Sequence, residues 1–289
     1  MGIPQDDDLV QIQQAAGFSS VTLAFLISTG GCTAGWGGLT GSLPSDQLPN
    51  GQSIQSLVQT LQASGVQVII SFGGAAGSEP ALTCGSAAAL QALYQSVLTR
   101  YKVTMLDFDI EGSALTNQAS LTLRDQALVG LKAANPGLVI SYTIAVLPTG
   151  LPASGVNVMA TAKADGLNLD MVNIMTMDYG SSNDNGAQMG LDATDAAQNT
   201  EAQILANGWT AHVGITPMIG QNDTSTEVFQ LKDATTVLQY AQANSFVQRI
   251  AMWSVGRDNG SCPGQTTASG TCSGIAQSNY QFTSIFKAY

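Results

Sequence analysis

Charge is scarce in this chain, and basic charge is the scarcest: 10% of its 289 residues are charged, with nine Lys and Arg against twenty Asp and Glu. The nine are scattered, and the formal charge is −11, so no basic run is available to neutralise a nucleic acid or an anionic membrane surface. A neutral partner suits such a surface better. There is one histidine, His212, and no Cys-x-x-Cys pair, which leaves no zinc-ligand pattern, and no metal or other cofactor is expected. No apolar run approaches the roughly 18 residues that a membrane span needs, and "MGIPQDDDL" carries no apolar signal core.

What the chain does have is glycine, four cysteines and short β-rich runs. Cys32, Cys84, Cys262 and Cys272 are even in number, widely spaced and set among Gly and Ser, which favours disulfides and an oxidising, extracellular compartment over four buried thiols. Cys262 and Cys272 bracket a short loop and pair locally, leaving Cys32 for Cys84. Seven strand candidates begin at Ser20, Val66, Val103, Leu138, Met171, His212 and Arg249, with helical stretches between them. Most are apolar on both faces, the mark of strands in a covered parallel sheet. Alternation over the whole length predicts an α/β fold, a (β/α)8 TIM barrel forming one domain over 1–289. A doubly wound sheet is the rival, but no Gly-x-Gly-x-x-Gly follows a strand. The eighth strand would precede the helix "DDDLVQIQQAAG", where only Met1 to Ile3 remain, so the first strand is expected to be short or truncated. Between Gln221 and Gln248 there is room for a loop and one helix, and no α+β insertion domain is expected.

One strand stands out. In "LDFDIEG", Asp107, Asp109 and Glu111 alternate with Leu106, Phe108 and Ile110, so three acids share one strand face. Buried unpaired carboxylates cost several kcal/mol each, and like charges in one row raise each other's pKa. Glu111, at the end of the row where barrel active sites lie, is a candidate general acid. Two other readings are a solvated acidic strand face and a carboxylate metal site. The apolar neighbouring strands weigh against the first. The lack of any cradle for a nucleotide diphosphate weighs against the second.

The strand resembles the Asp-x-x-Asp-x-Asp-x-Glu motif of family 18 glycoside hydrolases, the chitinase family, with Thr104 where the first Asp is usual. "SFGG" from Ser71 is similar to that family's Ser-x-Gly-Gly. "MTMDYG" from Met175 resembles its Met-x-Tyr-Asp with a shift, Asp178 matching the Asp and Tyr179 standing in for the Tyr. "MWSVGRD" resembles the segment whose Trp, here Trp253, floors the sugar site. The resemblance implies a retaining enzyme that uses the substrate's own N-acetyl group as nucleophile. Glu111 would then be the acid and base, Asp109 would orient the acetamide, Asp107 would share a proton or hydrogen bond with Asp109, and Tyr179 would bond the acetamide carbonyl. Substrate-binding candidates are Trp253, Asp178, Met175, Gly74, Trp36 and Tyr142, with Trp36 and Tyr142 equally able to be packing residues, and Trp209 expected in the core. The implied partner is chitin or an N-acetylglucosamine oligomer, acted on by a secreted monomer with endo action. A non-hydrolytic chitin-binding relative and a glycoprotein-cleaving endo-β-N-acetylglucosaminidase are the alternatives.

Overall fold

The computed structural model describes residues 9–39, 43, 46–48, 50–183 and 188–289. Along the chain run α1 (Leu9–Ala16), β1 (Ser20–Gly30), β2 (Thr33–Trp36), α2 (Ile54–Ala63), β3 (Gln67–Gly73), α3 (Ala87–Tyr101), β4 (Met105–Asp109), α4 (Gln118–Ala134) and β5 (Val139–Ala145). Then follow α5 (Ala153–Ala164), β6 (Met171–Thr176), α6 (Met189–Asn207), β7 (His212–Pro217), β8 (Gly220–Gln221), β9 (Val228–Phe229), α7 (Leu231–Ala243), β10 (Val247–Ile250) and α8 (Gln281–Phe286). Each predicted strand has its counterpart in β1, β3, β4, β5, β6, β7 and β10. The short first strand expected at Met1 to Ile3 lies outside the described residues.

Local chemistry sets the helix ends. Ser53, Ser86 and Asn117 cap α2, α3 and α4 by accepting from the N–H groups of Ser56, Ala89 and Ser120. Ser53 starts α2, and the stretch ahead of it makes a bridge from Gln47 to Ser53. β2 was not foreseen: it folds back antiparallel on β1 as a hairpin.

The chain divides into two compact units, the first built mainly on Ser19–Thr143 with Ser154–Asp170, the second on Met171–Tyr289 with Ile144–Ala153. In the first, the strand order is β2-β1-β3-β4-β5, parallel except for β2. Register fixes what each face carries. Ser71, Asp107 and Ser141 align across β3, β4 and β5, as do Gly73, Asp109 and Thr143. The intervening row is Phe72, Phe108 and Tyr142, fully buried. Phe72 and Phe108 stack at 5.2 Å, and Tyr94 of α3 meets both edge-on at 5.0 Å, a geometry that aromatic quadrupoles favour. A polar row thus lies on one face of these strands and an aromatic row on the other.

In the second unit β6, β7 and β10 are parallel neighbours, and β8 and β9 form a short antiparallel hairpin. Between β7 and β10 stand only that hairpin and α7, without an α+β insertion. Both disulfides are formed, Cys32–Cys84 in the first unit and Cys262–Cys272 in the second.

Candidate active site

The acid row leaves β4 at the strand's C-terminal end. Asp107 is buried, and its burial is offset by hydroxyls: Ser71 Oγ donates to Oδ2 at 2.7 Å, and Ser141 Oγ to Oδ1 at 2.5 Å. Thr143 Oγ1 lies 2.9 and 3.1 Å from the two oxygens. Charge-assisted hydrogen bonds of this kind are the strong ones, so Asp107 is held as a fixed group. Thr104, the departure from the motif, is exposed ahead of β4 and lies outside this network.

Asp109, two residues on, is treated differently. It is buried, and its Oδ1 has no hydrogen-bond partner. Burial pushes its pKa well above the usual carboxylate value, and the charges of Glu111 and Asp107 push the same way. Its carboxyl is paired with that of Glu111. Glu111 is partly exposed, and partial burial raises its pKa as well. Its backbone carbonyl accepts from Ala114 N–H at 3.1 Å, which anchors the main chain while leaving the carboxyl free of any cap bond. The Asp109–Glu111 pair retains a proton at a pH where free carboxylates have lost theirs.

The "SFGG" glycines are explained by close approach. A Cβ on Gly73 would sit 2.2 Å from the Asp109 carbonyl oxygen, and one on Gly74 would sit 2.5 Å from the Phe25 ring. Both residues have positive φ, +95° and +84°. Gly74 N–H donates to the same Asp109 carbonyl at 3.0 Å. What these glycines admit is the backbone of β4 and an aromatic ring.

The remaining candidates divide. In the second unit Met175 is partly buried, and Asp178 is exposed with φ +50°. Asp178 Oδ1 accepts from Thr224 N–H at 2.7 Å. Trp253 is half-buried, its backbone bonded to Pro217 and Ile219. Tyr179 is 4% exposed, its hydroxyl beside Thr176, Asp192 and Glu227. Burial raises its pKa well above the ordinary value, and the neighbouring carboxylates add to the effect. Asp178 is the polar side chain that the motif exposes.

Two expectations need correction. Trp36 is 2% exposed, and its indole N–H donates to Tyr101 Oη at 2.9 Å and to Asp46, so it is a core residue and not a sugar platform. Tyr142 is fully buried in the aromatic row, its hydroxyl donating to Asp125 and its ring under the Arg124 guanidinium at 5.0 Å. It does not line the acid face. Trp209 is buried, as expected. Ser141 and Thr143 were missed, although the alternation of "VISYTIA" already placed them opposite Ile140, Tyr142 and Ile144. Among the described residues no cluster of three or more His, Cys, Asp or Glu could hold a metal ion.

A row of carboxyls running from buried to partly exposed at the C-terminal end of a parallel strand, with raised pKa values at Asp109 and Glu111, suits an acid–base enzyme of the α/β class. Within that class, the chain belongs to family 18 of the glycosyl hydrolases, whose family model matches residues 4–271. Its fold is that family's (β/α)8 barrel. It is 34% identical over 304 residues to a "Probable bifunctional chitinase/lysozyme" of Escherichia coli (strain K12), a match covering 98% of this chain and 33% of that protein. It is 36% identical over 220 residues to "Endochitinase 11" of Metarhizium anisopliae, covering 70% of this chain and 42% of that one. The chain therefore spans less than half the length of these relatives. Among solved structures, active domain 2 of a chitinase from Pyrococcus furiosus superposes with a TM-score of 0.81 at 27% identity, covering 99% of this chain and 91% of that chain. The catalytic domain of a fern chitinase from Peteris ryukyuensis shares the fold, with a TM-score of 0.63 at 16% identity, covering 100% of this chain and 96% of that one.

Proposed function

We propose that this chain is a single catalytic domain that hydrolyses the β-1,4 bonds of chitin, with retention of configuration and with the substrate's N-acetyl group as nucleophile. The observation that carries the reading is the pairing of a buried Asp109 with a partly exposed Glu111 beside an Asp107 already satisfied by three hydroxyls. Two carboxyl groups on one strand face cannot flank a sugar ring from opposite sides, so the ordinary retaining arrangement is closed to them. A nucleophile carried by the substrate removes that obstacle. Glu111 delivers its proton to the glycosidic oxygen as the C1–O bond breaks and the acetamide oxygen bonds to C1. Asp109 orients the acetamide and offsets the positive charge of the oxazolinium ion. Water then adds to C1 as the bond from C1 to the acetamide oxygen breaks, giving its proton to the Glu111 carboxylate, so that the acetamide is restored and the acid is regenerated. Asp178 and Trp253 bind the sugar in this reading, the indole by stacking on a sugar face.

Support for chitin comes from the family, from the chitinase names of its relatives, and from a related Pyrococcus furiosus domain solved with chito-oligosaccharides. The short β8–β9 hairpin and α7, in place of a cleft-walling insertion, support endo action. Two disulfides support secretion, and no described helix is long and apolar enough to cross a membrane. The test compares wild type with Glu111→Gln on a chitin oligomer and on a glycoprotein carrying an N-acetylglucosamine core. We expect wild type to cleave the oligomer and the variant to lose about 10² to 10⁴ in rate. Equal, undetectable hydrolysis by both proteins would refute the enzyme reading, and cleavage of the glycoprotein alone would replace the substrate.

A further inference from the structure

Asp178 is exposed, yet its backbone has a left-handed φ of +50°, a conformation a non-glycine residue keeps only where its surroundings hold it. Those surroundings are in the second unit, in the loop that closes the β8–β9 hairpin. Thr224 N–H donates to Asp178 Oδ1 at 2.7 Å. Two residues past Asp178, Gly180 N–H donates to Glu227 Oε1 at 3.0 Å. Glu227 is fully buried, an expensive place for a carboxylate on a loop, and Asn183 Nδ2 donates to the Tyr179 carbonyl to close the turn between the two contacts.

The loop that makes these contacts is itself tied down. Glu227 N–H donates to the Thr224 carbonyl at 2.9 Å, and Asn222 N–H to the Glu227 carbonyl at 3.0 Å. Gln221 Nε2 spans the carbonyls of Asn222, Ser225 and Glu227. Arg257, buried, donates to the carbonyls of Ile219, Gln221 and Ser269, and its charge neighbours Asp178 and Asp223. The hairpin is thus a rigid clamp that grips the Asp178–Gly180 turn at both ends, one contact to the side chain and one to the backbone.

We infer that Glu227 is a positioning residue, which through Gly180 and the Thr224 amide fixes the Asp178 carboxylate in the orientation used to bind the substrate sugar. The inference rests on the reading of Asp178 as a sugar contact. Its test is steady-state hydrolysis of tetra-N-acetylchitotetraose by Glu227→Ala, Glu227→Gln, Asp178→Ala and the Glu227→Ala/Asp178→Ala pair, each checked for folding by thermal unfolding. Glu227→Ala is expected to lower kcat/KM at least 10-fold. Glu227→Gln, whose amide oxygen still accepts from Gly180, is expected to restore most of it. The double variant is expected to be no worse than Asp178→Ala, because groups acting through one another are not additive. Should Glu227→Ala fail to fold, Thr224→Pro removes the other contact and carries the same expectations. Wild-type kcat/KM in Glu227→Ala, or losses that multiply in the double variant, would overturn the inference. A wild-type protein inactive on the oligomer would instead refute the proposed function. The clamp is then still read by amide hydrogen exchange at Thr224 and Gly180 without substrate: exchange accelerated at both by Glu227→Ala supports it, and unchanged exchange overturns it.

Discussion

Gly73→Ala tests the claim that β3 positions the acid row through close backbone approach. The new Cβ would stand 2.2 Å from the Asp109 carbonyl oxygen, where ordinary contact begins near 3.4 Å, so β3 and β4 must part by roughly 1 Å. The parting loosens the 3.0 Å bond from Gly74 N–H to that same carbonyl, costing about 1 kcal/mol. A φ of +95° adds a further ~1–2 kcal/mol of strain for a residue with a Cβ. The expected loss of stability is therefore about 2–3 kcal/mol. A catalytic group displaced by about 1 Å typically loses ~10²-fold in rate, and Asp109 is the residue whose carbonyl moves. The measurements are thermal unfolding and kcat on a fluorogenic N-acetylglucosamine oligomer, with Gly85→Ala as control because a Cβ there meets nothing within 4 Å. Gly85→Ala should match wild type. If Gly73→Ala also keeps its melting temperature and a kcat within about twofold, the strand-positioning argument fails.

Three further outcomes are expected. Asp109→Asn should be more stable than wild type at neutral pH, because a carboxyl whose native pKa is raised contributes stability only while protonated. That contribution is full below the ordinary value of 3.8 and is lost as pH rises through the native value, so the gap between the two proteins should close on acidification, as read from melting temperatures across pH. Tyr142→Phe should cost about 1–3 kcal/mol, by stripping the hydroxyl from Asp125, whose pKa burial raises to about 6, while KM for a chitin oligomer stays put. A large rise in KM would return Tyr142 to the binding site. Replacing Cys32 and Cys84 by Ala should destabilise by up to about 4 kcal/mol on chain-entropy grounds, given the 52-residue separation, and a melting temperature insensitive to the change would count against that accounting.

Much of the site was legible because it is local. The alternation of "LDFDIEG" placed three acids on one face, and register confirmed the face by aligning Asp107 with Ser71 and Ser141. The support beneath the acids was partly legible. Ser141 and Thr143 follow from the same period-two argument applied to β5, and that argument also puts Tyr142 on the aromatic side; weighing Tyr142 as an isolated aromatic missed it. Trp36 could not be placed this way. Its fate depends on Asp46 and on Tyr101, 65 positions away, and long-range pairing of that kind leaves no periodic trace. The β8–β9 clamp was illegible for a similar reason: strands of two residues carry no alternation, and Glu227 reads as one more surface acid until its burial is seen.

The environments of the three acids also answer why a chain so poor in charge puts them in one row. Burial penalises each of them, and each meets the penalty by a different route. Asp107 is surrounded by hydroxyl donors from β3 and β5, so its charge is solvated by protein in place of water. Asp109 has no such donors on Oδ1, and its burial raises its pKa instead. Glu111 stands partly in solvent at the end of the row, where a proton can be exchanged with something outside the protein. The hydroxyls around Asp107 therefore bear on the chemistry as well as on stability. They fix the Asp107 carboxyl at the buried end of the row, where its nearness helps to raise the pKa of Asp109. Thr104, exposed before the strand begins, has no place in that sequence, so the row has three acids where the family motif usually has four.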